Sequence, residues 1–188
     1  MVVSGRPAAN AFVHHARKIY NPVGFSKGYN FVLFFICCGA LMGFTLSRVR
    51  FFNFNGFFCG GTKEGTTPGE CMFYRDGHGR AGMIMHLLML PAGFLACFQF
   101  VPVIRHKVIL FHRMNGYTII LLSLVATVGA FMIARNAFNG AIDMQVWTFV
   151  AGFMFLGSMI LALYNIKRLQ IEQHRAWMLR AWVYVSST

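Results

Sequence analysis

Four stretches of this sequence each offer about twenty nearly uncharged apolar residues, the length a helix needs to cross hydrocarbon. They are 29–46, 81–104, 114–134 and 144–166. A fifth begins in "AWMLRAWVYVSST", residues 176–188. Thirteen residues are too short to span at 1.5 Å per residue. The expected fold is therefore all-α: a polytopic transmembrane helix bundle of four complete spans plus the start of a fifth. The native chain is expected to continue past Thr188, so that the sequence is truncated at its C-terminus. Residues 1–28 form a tail and 29–188 a single transmembrane domain, with a long loop at 47–80.

Composition agrees. The chain is 57% hydrophobic and 12% charged, against roughly 25% charged in soluble domains. The formal net charge of +12 would suit a nucleic-acid binder. Here the basic residues sit in short clusters between apolar runs, so they report on lipid headgroups and orientation instead. Nucleic acid is excluded as a partner; the bilayer is the partner.

Orientation follows from Lys and Arg. The tail, the 105–113 loop and the 167–180 segment share one side and carry eleven; the other side carries six. The positive-inside rule then puts the N-terminus in the cytoplasm and the 47–80 loop on the outer face. No secretory signal is evident. "AFVHHARKIY", 11–20, reads either as a short amphipathic helix on the membrane surface or as unstructured tail.

Cys59 and Cys71 lie in the outer loop. In an oxidising compartment they are candidates for a disulfide. Cys37, Cys38 and Cys97 fall inside spans and read as packing residues. Small residues recur at helical spacing: Gly116, Ser123, Thr127, Ala130 and Ala134 in the third span, and Gly82, His86, Gly93 and Cys97 in the second. Such stripes let helices, or a flat ligand, approach closely.

Three histidines are candidates for chemistry. His86 lies about 8 Å inside the second span at 1.5 Å per residue, where an ionisable side chain needs a partner. His112 and His174 each open a span running outward from the same side, so they share a membrane depth. Each is followed by arginine. Two imidazoles at one depth suit axial ligation of haem iron. Arg113, Arg175 or Arg180 could then pair with the haem propionates. The competing reading is that His-Arg at a helix mouth only anchors lipid phosphate.

Absences narrow the classes. No Asp or Glu lies within the four spans, against a zinc hydrolase or a proton pump with buried acids. No His-Glu-x-x-His, nucleotide loop or serine elbow is present. Three readings survive. One is a b-type haem protein for electron transfer, with haem b on His112 and His174 and with His86 a ligand or a group orienting one. Another is a membrane enzyme or binding protein for a lipid-like apolar small molecule, using His86, His112 and His174, with Arg180 as anion contact. The last is a structural or assembly subunit with no chemistry.

The motif "HLLMLPAGFLACFQFVPVIRHK…FHRMNGYTI", within 86–120, resembles the core of the multi-pass membrane proteins grouped as DUF2306. "QHRAWMLRAWVYV", 173–185, resembles their second signature. The N-terminal third is similar in layout to fungal-type members. The resemblance implies a multi-helix membrane bundle with further spans after the second signature, and His86, His112 and His174 match its pattern. A more distant likeness links the layout to transmembrane b-type cytochromes. Those place histidine pairs near each face, whereas here His86 has no intramembrane partner toward the outer face.

Overall fold

A computed structural model describes residues 10–59, 69–136 and 141–186; among these, helix is the only regular structure. A backbone in hydrocarbon must satisfy its own hydrogen bonds, and the helix does so within one segment. Among the described residues, four helices are long and apolar enough to cross a bilayer: 28–52, 77–99, 109–133 and 142–167. The chain is an integral multi-pass membrane protein.

The elements, in order, are α1 (Ala11–Tyr20), α2 (Gly28–Arg48), a 3-10 turn (Val49–Phe52), α3 (Phe54–Phe58), α4 (Gly69–Arg75), α5 (Gly77–Leu87), α6 (Met89–Gln99), α7 (Pro102–Lys107), α8 (Ile109–Ile133), α9 (Ile142–Lys167) and α10 (Ile171–Ser186). The tail is thus partly ordered. Asn10 caps α1 by accepting a hydrogen bond from the Val13 amide at 2.9 Å. Phe12 and Ile19 stand exposed on it, while Tyr20 is buried.

The second span is bent. Pro91 has no N–H for the Leu87 carbonyl, and its ring crowds that carbonyl. The helix breaks there: the Leu88 amide bonds to Met85 in a tighter turn, at 3.1 Å, before α6 resumes. The span also ends at Gln99 rather than Ile104. Val101 precedes Pro102 and is extended, at φ −77° and ψ 114°, as residues before proline tend to be. The third span starts at Ile109, five residues before the apolar run suggests. The polarity of His112 and the charge of Arg113 lower hydropathy but do not interrupt a helix, so His112 lies in the first turn of α8.

Packing sets two levels. At one end, Tyr74, Met83, Leu87 and Ile133 form a buried cluster, with Phe51, Phe54 and Phe73 against it. The described parts of the 47–80 loop are therefore largely helical and fold onto the bundle. Cys59 and Cys71 are bonded there, with their Cα atoms 5.3 Å apart. Of this loop, Lys63 lies outside the described residues. At the other level, Ala92 and Ala96 of α6, Ile119 of α8 and Trp182 of α10 are buried together. Phe155 and Met159 of α9 pack with Ala181 of α10. The outer face of α2 leaves Leu33, Phe35, Ile36 and Leu46 exposed, as lipid contact allows.

The Cys59–Cys71 bond closes a separation of 12 residues. Chain entropy alone gives such a loop about 3 kcal/mol. The flanking spans keep its ends close even when tertiary packing is lost. Cys59→Ser is therefore expected to cost about 2 kcal/mol, within the usual range for a disulfide. Unfolding of the oxidised wild type and the variant in the same detergent measures the difference; unchanged midpoints would refute it.

Candidate functional site at the His112 and His174 helix mouths

The site begins with a turn. Leu169 adopts φ 60°, and the Gln170 amide bonds back to the Asn165 carbonyl at 2.9 Å. This left-handed residue closes α9 in a Schellman arrangement and sends α10 back along α9, the most extensive helix contact in the fold. The reversal carries His174, in the first turn of α10, beside the end of α9. Its Nδ1 lies 2.9 Å from the Ala162 carbonyl oxygen. A carbonyl only accepts, so Nδ1 carries the hydrogen and donates it. In the tautomer this bond selects, the lone pair is on Nε2.

His112 faces the same place from α8. Its ring is within electrostatic reach of His174, Arg105 and Arg113. The two histidines stand at a similar distance from a shared cluster: Ile119, seven residues past His112, is buried with Trp182, eight residues past His174. The Nδ1 of His112 is buried and has no hydrogen-bond partner. Toward α6 the site is closed. Gln99 donates to the His112 backbone carbonyl at 3.0 Å, and Asn115 donates to the Leu95 carbonyl at 3.1 Å.

Positive charge surrounds the pair. Arg105, on α7, is partly buried and senses Arg175 and Glu172. Burial pushes its guanidinium below the ordinary range; Arg175 pushes the same way and Glu172 opposes. Arg113 is exposed. Arg175 is engaged with Glu172, at 3.0 and 3.1 Å. Arg180 lies over the Trp177 ring at 4.5 Å. The sequence reading named Arg113, Arg175 and Arg180 and passed over Arg105, which stands only seven residues before His112 in the basic run "RHK".

His86 is elsewhere. It sits in the last turn of α5, just before the bend, beside the Ala126 backbone of α8. Fourteen residues of α8 separate that level from His112, about 21 Å along the axis. Its Nδ1 is also buried without a hydrogen-bond partner. The small-residue stripes serve packing here. A Cβ on Gly82 would meet Ile133 Cγ2 at 2.7 Å, and one on Gly129 would meet the Gly82 carbonyl oxygen at 2.6 Å. Ser123 and Thr127 are buried and donate to carbonyls of their own helix.

Among the described residues, no three His, Cys, Asp or Glu side chains gather into a metal cluster. A metal between His112 and His174 would have two ligands from the protein.

Four apolar spans around a buried core, with a polar cluster at one mouth, define a polytopic helical membrane protein. The chain belongs to the DUF2306 family, described as predicted membrane proteins, whose model matches residues 81–188. That match takes in His86, His112 and His174. No curated protein and no solved structure matches the chain.

Proposed function

We propose that this protein is a membrane haem protein for electron transfer, in which His112 and His174 would hold haem b. The supporting observation is the state of the two rings. His174 has its Nδ1 committed to a backbone carbonyl, the outer contact that fixes a ligating imidazole. His112 at the same level holds a buried ring nitrogen with no protein partner, a deficit worth about 1–3 kcal/mol. Both features fit a metal ligand. Two protein ligands are too few for a structural zinc site, which takes four. They suffice for haem, whose macrocycle fills the other positions.

The surrounding charge also fits. Arg105 and Arg113 supply guanidinium groups at the depth where haem propionates would lie. Arg175 and Arg180 are engaged with Glu172 and Trp177. Bound haem would supply one-electron redox chemistry. The chain's own part is to hold the imidazoles apart at a fixed level, set the His174 tautomer through Ala162, and close the α6 side through Gln99 and Asn115. With the N-terminus cytoplasmic, as the Lys and Arg distribution favours, the site would meet a cytoplasmic reductant.

The test is an absorption spectrum, oxidised and reduced, of the protein purified from haem-supplied cells. A Soret band and a sharp reduced α-band are expected. Their absence after haem supplementation would end the proposal.

One observation favours a second reading. The unpartnered Nδ1 of His86, deep in the other half of the bundle, suits a polar contact to an apolar small molecule. A co-purifying lipid-like ligand, lost on His86→Ala with folding intact, would support it.

A further inference from the structure

α2 packs against α6. The two helices approach closely. A Cβ on Gly93 would meet Thr45 Cγ2 at 3.1 Å and Leu41 Cδ1 at 3.6 Å. One turn further along α6, and one to two turns back along α2, Cys97 and Cys38 come together. Their thiols are close enough to interact. The Cys97 sulfur also lies 4.0 Å from the Cys38 carbonyl oxygen and 3.6 Å from that of Gly93. Cys97 is buried and Cys38 half-buried, while Cys37 beside it is exposed on the outer face of α2.

Plain packing needs no second thiol at this contact. A single small residue would fill the space, as Gly93 does one turn away. Two thiols within reach of one another across a helix pair meet the first requirement for a disulfide. The setting dictates the oxidant. The pair lies within spanning segments, on a contact whose outer edge faces lipid. A water-soluble disulfide such as glutathione has poor access; a bilayer-soluble two-electron acceptor has good access.

We propose that Cys38 and Cys97 form a reversible intramembrane dithiol–disulfide pair, oxidised by a lipid-soluble quinone. Two S–H bonds break and one S–S bond forms. Two electrons and two protons pass to the quinone, which becomes the hydroquinone. The oxidised form ties α2, which lies outside the segment matched by the family model, to α6, which lies inside it. The pair is separate from the Cys59–Cys71 bond, which sits in the loop at the far end of α2.

The experiment treats the protein in lipid vesicles, then denatures it in detergent and counts free thiols by maleimide labelling and intact mass. The untreated protein is expected to take three labels, on Cys37, Cys38 and Cys97. After duroquinone, whose substituted ring oxidises thiols without adding to them, it should take one. Peptide mapping should then show Cys38 joined to Cys97. Cys38→Ser and Cys97→Ser should each take two labels before and after treatment. Dithiothreitol, used at a level that leaves Cys59–Cys71 intact, should restore three labels to the wild type. Three labels after duroquinone and after the permeant oxidant diamide would overturn the pairing. Loss with diamide alone would overturn the quinone assignment. A Cys37–Cys97 link would overturn the choice of residues. The wild-type measurement stands whether or not the serine variants fold.

Discussion

His174→Ala is expected to purify folded but without haem. The alanine removes the Nε2 donor and the Nδ1 bond to Ala162 together. Losing only an outer contact of a metal ligand costs about 10- to 100-fold in affinity, so losing the ligand should cost about 100-fold or more. The His112→Ala protein should behave alike, because on the proposed assignment both imidazoles would hold the haem. His112→Ala also removes a buried, unpartnered nitrogen, so its melting temperature without haem should not fall. His86→Ala is the control. It lies about 21 Å along α8 from His112, and its Soret band should persist. Equal spectra for His112→Ala and wild type would sink the ligand assignment, and loss of the band only in His86→Ala would move the site.

The second large effect is steric. Gly129 lies where α5 crosses α8 with backbones in contact. A Cβ there would meet the Gly82 carbonyl oxygen at 2.6 Å, Met85 Cβ at 2.7 Å and the His86 backbone nitrogen. Two of these three are main-chain atoms, so no rotamer change relieves the clash. Gly129→Leu must push α5 off α8. Overpacking a tight core costs about 1–3 kcal/mol and at times more, and this site belongs at the upper end, at about 3 kcal/mol. Gly157→Leu is the comparison, since a Cβ there meets nothing within 4 Å. Unfolding in detergent should show a marked loss for the first and little change for the second. Equal stability would mean that the crossing is looser than described.

The spans were legible because hydropathy over about twenty residues has one cheap solution in lipid. The shared level of His112 and His174 was legible too, since alternating spans return the chain to the same side. Other features depend on three-dimensional closure. The His174 bond to Ala162 exists only because Leu169 turns the chain, and a leucine gives no warning of a left-handed conformation. Arg105 joins the cluster because Pro102 starts a new helix; the sequence reading ran the span through to Ile104 instead. Gly129 stayed outside the small-residue stripe, although the tightest crossing lies on it. Asn115 is buried on α8 and bonded to the Leu95 carbonyl, a contact that no motif announces. The bend at Leu88 had a visible cause in Pro91, but a proline in a membrane helix is tolerated often enough that its presence alone does not locate a break.

The hydrogen bond that orients His174 ends on a peptide oxygen. Every amino acid supplies that oxygen, so no side-chain replacement at position 162 can delete the acceptor. Disabling it requires moving the main chain, for example by unwinding the end of the fourth span or forcing the Leu169 hinge into another hand. The imidazole's aim is thus inherited from chain geometry, and sequence drift around Ala162 can proceed without disturbing it so long as the two helices keep their reversal.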